Sequence, residues 1–211
     1  MICSMRMKIS RIVNLCIGII VLWVWLSMTF RLRPLGAQSE GGFQNLRYFT
    51  VLSNLLQGGV SLAYFFGRRV GRWKYASTTA MALTFCVVLF FLGPTRGYDV
   101  VYSGANFFSH LVISILSIVD FLFFDRSCTY TLGDSLFTMI PLVVYSLFYT
   151  GNLFINGVDG NDWYGFAKAG PKFAIAIFAI MLAANWIIAL LLRLPRMKRS
   201  VQKHTLTRPM P

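Results

Sequence analysis

Charged residues are scarce in this chain of 211 residues. They make up 13% of the sequence, whereas a soluble domain carries about 25%. Hydrophobic residues make up 56%, and apolar stretches of about 20 residues recur from one end to the other. The deficit of charge excludes an ordinary soluble domain. It predicts an all-α fold, a bundle of membrane-spanning helices that forms a single transmembrane domain over residues 1–211.

Six apolar stretches are long enough for a helix to cross a hydrocarbon core of about 30 Å. They cover residues 12–30, 48–66, 75–92, 105–124, 132–150 and 173–192. The fifth is the weakest candidate, because Asp134 lies near its start and Pro141 interrupts it. Arg31 and Arg33 directly follow the first stretch, so we expect it to be retained rather than cleaved as a signal peptide.

Acidic residues number only 7, against 20 basic ones, which gives a net charge of +13. Fourteen of the basic residues fall in the N-terminus, the second and fourth connections and the C-terminus: Arg6, Lys8, Arg11, Arg68, Arg69, Arg72, Lys74, Arg126, Arg193, Arg196, Lys198, Arg199, Lys203 and Arg208. The positive-inside rule therefore predicts that both termini are cytoplasmic. We expect the basic tail, residues 193–211, to lie against anionic lipid headgroups and not to bind nucleic acid.

Several kinds of site lack the residues that they need. The chain has only two histidines, His110 and His204, and the second lies in the predicted tail, which excludes a multi-histidine metal centre. The four cysteines show no paired spacing, so neither a disulfide framework nor a metal knuckle is indicated. No glycine-rich phosphate loop is present, and Gly58 and Gly59 lie within a predicted helix, where they favour close helix approach. We expect no metal and no cofactor.

Two of the predicted spans carry a stripe of polar side chains along one face. In the second span the stripe follows a spacing of i, i+4, i+7 and i+11: Thr50, Asn54, Gln57 and Ser61. In the fourth span it consists of Asn106, His110, Ser114 and Ser117, with Asp120 close to the same face. Such groups do not face lipid, because amides, an imidazole and a carboxylate need polar partners.

His110 is the most informative of these residues, since an ionisable side chain within a membrane span marks a functional site by default. Thr50 and His110 each lie within two turns of the predicted outer ends of their spans, so their depths match. A hydroxyl beside an imidazole is the minimum for a histidine base acting on a threonine nucleophile. Helix packing and a path for protons or ions remain alternative interpretations of the same stripes.

The long outer connection, residues 151–172, is rich in turn-forming residues with aromatic side chains between them. Trp163, Tyr164 and Phe166 suit two roles. They can anchor the chain at the membrane interface, which is the commoner role, or fold back as a cap over a cavity.

Two short motifs resemble those of the androgen-induced membrane hydrolases, small multi-pass proteins that cleave fatty acid esters of hydroxy fatty acids. The first is the run Arg47-Tyr48-Phe49-Thr50-Val51-Leu52-Ser53-Asn54-Leu55-Leu56-Gln57, and the second is Asn106-x-x-x-His110, with Asp120 ten positions further on. The loop Trp163-Tyr164-Gly165-Phe166 is similar to theirs, with glycine where they commonly have proline. The proline that follows the histidine in those relatives is missing from the Ser114-Ile115 region.

The resemblance implies a lipid ester hydrolase in which Thr50 is the nucleophile and His110 is its base. Four further residues are then expected to contact the substrate, the oxyanion or the histidine ring: Asn54, Gln57, Asn106 and Tyr164. The substrate is a membrane lipid or acyl chain, and the similarity to prokaryotic six-helix relatives predicts the cell membrane of a prokaryote. The alternative is non-enzymatic, a transporter or a membrane scaffold whose polar stripes are packing contacts.

Overall fold

The computed structural model describes residues 2–32, 42–125 and 128–206, with side chains described for 4–32, 42–125 and 128–196. Within these ranges the chain is helical and contains no strand. The helices are α1 (Ile2–Phe30), a 3-10 helix (Gly42–Arg47), α2 (Phe49–Phe65), α3 (Gly71–Arg96), the single turn α4 (Tyr98–Val101), α5 (Gly104–Phe124), α6 (Leu132–Asn156) and α7 (Pro171–Leu206). Arg33, used above to predict that the first stretch is retained, and Arg126, used to predict orientation, lie outside the described residues.

Five of the described helices are long and apolar enough to cross a membrane. They are α1 from Ser4 to Phe30, α3, α5, α6, and α7 from Pro171 to Arg196. The chain is therefore a multi-pass membrane protein, as its composition predicts. The helix α2 has 17 residues. At about 1.5 Å per residue it is some 25 Å long, slightly short of a typical span.

The start of α6 explains why the fifth apolar stretch looks weak in the sequence. Asp134 is part of a capping box: its carboxylate accepts the Thr131 amide at 2.8 Å, and the Thr131 hydroxyl accepts the Asp134 amide at 3.2 Å. Pro141 lies in the first turn of the segment Ile140–Asn156, where a proline costs no helical hydrogen bond. Both residues therefore begin helical segments rather than interrupt the span.

The helix α3 is the centre of the bundle. It packs against α2, α5, α6 and α7, and every residue from Lys74 to Thr84 is buried. Two of its small hydroxyl residues donate to carbonyls of the same helix: Ser77 to that of Lys74 at 3.2 Å and Thr79 to that of Tyr75 at 2.8 Å. A helix surrounded on all sides shows no single apolar face, so its central position was not evident from the sequence.

Close approach of α1 and α2 depends on glycine. A Cβ at Gly58 would lie 2.6 Å from Cγ1 of Val21, and one at Gly18 would overlap Leu62. A Cβ at Gly59 would meet open space. The predicted role in helix approach is thus confirmed for Gly58 and is wrong for Gly59.

A buried ionic network holds together the end of the bundle at which α2 and α5 finish. The Lys74 ammonium lies 2.7 Å from Oδ2 of Asp120 and 3.4 Å from Oδ2 of Asp125, and each of the three side chains is at most 1% exposed. Asn14 of α1 donates to Asp120 at 2.7 Å. The same ammonium lies 3.5 Å from the centre of the Tyr64 ring of α2. Lys74, counted above as a loop charge, is instead a core residue that connects four helices.

The final turns of α7 also belong to this core. Arg196 is 3% exposed; its guanidinium donates to the Phe121 and Cys128 carbonyls. Arg193 donates to the Tyr130 carbonyl at 2.9 Å. Arg196 is therefore a core residue and is not exposed to headgroups, whereas for the rest of the tail the headgroup contact stays a prediction. The side chains of residues 197–211 lie outside the described residues.

Candidate functional site

Thr50 and His110 line the same cavity at the end of the bundle where α2 and α5 begin. The cavity has a volume of about 230 Å³. Its polar lining includes Tyr48, Thr50, Arg96, Asn106, His110 and Tyr164. Four of the six residues named as site candidates from the sequence therefore meet here, although they come from three separate parts of the chain.

A backbone carbonyl, rather than a carboxylate or Asn106, orients the His110 ring. Nδ1 of His110 lies 2.8 Å from the carbonyl oxygen of Val101, the last residue of α4. A carbonyl only accepts hydrogen bonds, so Nδ1 carries the proton and Nε2 of the neutral ring keeps its lone pair. The expectation that Asn106 orients the ring is wrong: its side chain lines the cavity but makes no hydrogen bond to His110 among the described contacts.

The helix α5 is irregular where it carries its two ionisable residues. It forms a π-helical turn over Phe108–Val112, around His110, and a second over Asp120–Phe124. π-Helical turns inside α-helices are rare and are often found at functional sites, because the additional residue per turn redirects a side chain. The first of these turns carries a ring that is only 8% exposed.

Thr50 lies in the first turn of α2, close to the positive end of the helix dipole. Asn54, one turn further on, donates to the Thr50 carbonyl at 2.7 Å and to the Ser109 carbonyl of α5 at 3.2 Å. The two polar stripes therefore face each other at this level. Between the described side chains of Thr50 and His110 there is no direct hydrogen bond, and both groups instead face the cavity.

Gln57 lies outside this site. It is 1% exposed, donates to the Ser61 hydroxyl at 2.9 Å and is not part of the cavity wall. Asn54 borders a much smaller neighbouring recess instead of the main cavity. Of the two amides expected to contact an ester, one therefore binds the backbone of α2 and α5, and the other lies deeper in the bundle.

The loop after α6 folds inward as a cap. Asp162 organises it, because its carboxylate accepts the amides of Phe166 and Ala167, each at 2.8 Å, as well as the hydroxyl of Tyr149. Phe166 is 6% exposed and packs in the core. The sequence leaves two roles open for Trp163, Tyr164 and Phe166, an interfacial anchor or a cap. In the structure their loop forms a cap.

Tyr164 connects this cap to the start of α2. Its hydroxyl accepts the Phe49 amide at 2.8 Å, which satisfies a donor that the helix itself leaves free. Burial raises the pKa of Tyr164 to about 12, although hydrogen bonds with Tyr145, Phe49 and Thr50 oppose this effect. The hydroxyl is therefore protonated throughout the working range of pH.

Two apolar recesses adjoin the polar cavity. One of about 30 Å³ shares Thr50 and Tyr164 with it and extends between α2, α3, α6 and α7 along Leu83, Val87 and Phe178. The other, of about 10 Å³, lies between α1, α2 and α5. The site thus combines a polar centre with hydrocarbon-lined extensions.

Two functional features of the site were missed in the sequence. The Val101 carbonyl is a backbone group, so no side-chain pattern could have marked it. Arg96 was not among the site candidates, although it lies four residues after the apolar run that ends at Leu92 and lines the cavity. Among the described residues no group of three or more histidine, cysteine or acidic side chains is placed to hold a metal ion.

Comparison of the chain with known protein families, with curated proteins and with solved structures finds no match. The resemblance to the androgen-induced membrane hydrolases accordingly stays a prediction based on the two motifs. The structure by itself defines a helical multi-pass membrane protein with a polar cavity at one end and a buried ionic network at the other.

Proposed function

We propose that this protein is an intramembrane lipid ester hydrolase that uses Thr50 as nucleophile and His110 as general base. In this proposal α2 is a sixth span, both termini are cytoplasmic, and the cavity opens towards the outer leaflet of a prokaryotic cell membrane. The surplus of basic residues at the termini and in alternate connections supports this orientation. The short α2 suits a span whose ends are extended by the 3-10 helix before it.

One observation carries the proposal. A threonine in the first turn of α2 and a histidine of α5 line one cavity, and the fixed Nδ1–H of that histidine leaves Nε2 free to accept a proton. A backbone carbonyl that fixes the tautomer replaces the carboxylate of a triad in orienting the ring. The positive end of α2 favours negative charge developing on the Thr50 oxygen.

The reaction follows two steps. Thr50 Oγ1 attacks the ester carbonyl carbon while Nε2 of His110 takes its proton, and the carbonyl π electrons move to oxygen. The C–O bond to the alcohol then breaks, and the alkoxide receives the proton from His110. Water attacks the resulting Thr50 ester with the same histidine as base, which releases the carboxylic acid and restores Thr50.

The shape of the cavity indicates how much of a lipid it would hold. A volume of about 230 Å³ lies just below the range of about 300–1,000 Å³ for typical ligand pockets. The cavity accommodates the ester and the adjoining carbons. The recesses receive the start of each hydrocarbon chain, and the remainder of the chain lies in the bilayer. Arg96 at the cavity wall suits oxygen-rich groups of the substrate.

Transport and scaffolding are less well supported. A transporter needs a polar path to the other side, but the cavity wall includes neither Gln57 nor Ser61, and the buried ionic network fills the far end of the bundle. A scaffold whose stripes only pack would leave no void between them. The cavity between Thr50 and His110 is what favours an enzyme.

The test is ester turnover by purified protein in lipid nanodiscs, with p-nitrophenyl octanoate as the first probe. We expect Thr50→Ala to abolish turnover and His110→Ala to lower kcat/KM about 10²–10⁴-fold, the usual contribution of a general base. Thr79→Ala is the matched control, because Thr79 is fully buried in α3 and lines no cavity described above. Equal turnover by Thr50→Ala and wild type would refute the proposal.

A further inference from the structure

The proposed reaction needs a hydrogen-bond donor for the oxygen that becomes negative, and the amides expected to supply it are occupied. The Asn54 side-chain nitrogen already donates to two carbonyls, those of Thr50 and Ser109. The Gln57 nitrogen donates to Ser61, away from the cavity. An oxyanion donor must therefore be sought elsewhere on the cavity wall.

The Tyr164 hydroxyl lies where such a donor is required. Tyr164 and Thr50 both border the polar cavity and also the apolar recess between α2, α3, α6 and α7. An ester whose acyl chain enters this recess would pass its carbonyl group between the two side chains. Arg96 and Asn106 border only the polar cavity, Phe166 borders only the recess, and Trp163 borders neither.

The hydrogen bonds of Tyr164 leave it suited to donate. Its oxygen accepts the backbone amides of Phe49, at 2.8 Å, and of Thr50, and a phenol that accepts hydrogen bonds still has its own proton to give. Accepting from a helix N-terminus polarises the O–H group and strengthens the bond that it donates. The cap held by Asp162 fixes the ring in place, so little reorganisation is required during the reaction.

We propose that Tyr164 is a catalytic residue that donates its hydroxyl hydrogen bond to the carbonyl oxygen as negative charge develops on it. This inference rests on the proposed function. Tyr164 transfers no proton: the oxyanion forms when Thr50 attacks and disappears when the alcohol leaves, and His110 alone moves protons. The first carbons of the acyl chain then occupy the recess along Leu83 and Phe178.

The test is the substitution Tyr164→Phe, which keeps the ring and removes the donor. We expect kcat with p-nitrophenyl octanoate to fall about 10²-fold or more, the usual effect of deleting one oxyanion donor, while KM stays near the wild-type value. The shape of the pH profile should not change, since a hydroxyl with a pKa of about 12 does not titrate in the working range. Tyr149→Phe is the matched control.

Tyr149 belongs to the same aromatic cluster and its hydroxyl also holds the cap, but it lines none of the cavities described above. A purely structural role for Tyr164 predicts similar losses for both variants. A second readout is inhibition by octylboronic acid, which forms a tetrahedral adduct with a nucleophilic hydroxyl. We expect Tyr164→Phe to weaken this inhibitor by the same factor as kcat/KM.

The outcomes separate the two proposals. If the wild type hydrolyses the ester in a Thr50-dependent manner but Tyr164→Phe retains its kcat and its boronate affinity, the role of Tyr164 is refuted and the hydrolase stands. If the wild type has no Thr50-dependent turnover, the proposed function fails, and the role of Tyr164 fails with it. A fall in kcat for Tyr164→Phe that Tyr149→Phe does not show supports both the hydrolase and the role of Tyr164.

Discussion

The ionic network around Lys74 makes the sharpest prediction about stability. Lys74→Met removes the cation that lies 2.7 Å from Asp120 and keeps a long apolar stem in its place. Among the described residues, Asp120 then has only the Asn14 amide as a partner for its Oδ2, while Asp125 keeps Arg196 at 3.9 Å. Removing one partner of a buried ion pair leaves an uncompensated charge and costs about 3–5 kcal/mol.

A second substitution isolates the cause of this loss. Asp120→Asn in the Lys74→Met background removes the unpaired charge and keeps an oxygen to accept the Asn14 amide. We therefore expect the double variant to be more stable than Lys74→Met alone, with a coupling free energy of about 2–3 kcal/mol. The isosteric change limits the effect of altered side-chain volume.

The assay is reversible unfolding of the purified protein by SDS in mixed micelles, followed through the five tryptophans. Lys172→Met is the control, because Lys172 is an exposed residue of the first turn of α7; its free energy of unfolding should change by less than about 0.5 kcal/mol. A loss below about 1 kcal/mol for Lys74→Met, or a double variant less stable than Lys74→Met alone, would show that the network does not hold the bundle as described.

Three further predictions concern other parts of the molecule. Gly58→Ala should destabilise the protein by about 1–3 kcal/mol through overlap with α1, whereas Gly59→Ala, in open space, should be neutral or stabilising; unfolding in SDS measures both. ¹⁵N NMR of the His110 ring should show a protonated Nδ1 held by Val101 and an unprotonated Nε2, and the opposite tautomer would contradict the proposed base. Asp162→Ala should speed hydrogen exchange at the Phe166 and Ala167 amides, and unchanged exchange would mean that the carboxylate does not hold the cap.

The sequence predicts the helical class well because it depends on composition and on runs of apolar residues. Helix ends are predicted less well, since they depend on local chemistry that hydropathy does not record. In the sequence, Asp134 is a charge that weakens a predicted span. In the structure, the same residue forms the N-terminal cap of a helix. Likewise Arg196 reads as a surface charge beyond the last span, although carbonyls of α5 and of the connection after it bind its guanidinium.

Helical spacing was sufficient to predict that Thr50 and His110 belong to the same site, because both polar stripes have a regular period and the two residues lie at matched depth. It could not show that Lys74 meets Asp120, since such a pairing depends on which helices become neighbours. Nor could spacing reveal the Val101 carbonyl, because backbone groups have no sequence signature. For Gln57 the spacing was misleading: it shares the face of Thr50 but lies about two turns deeper, below the cavity.

The central claim is that Thr50 becomes esterified during turnover, and mass spectrometry of acid-quenched protein tests it most directly. Wild-type protein mixed with p-nitrophenyl octanoate should carry an octanoyl group on the peptide that contains Thr50, and Thr50→Ala should carry none there. Tyr164→Phe and His110→Ala should form the adduct more slowly. Steady hydrolysis without an adduct on that peptide, or with the acyl group on another residue, would contradict the account.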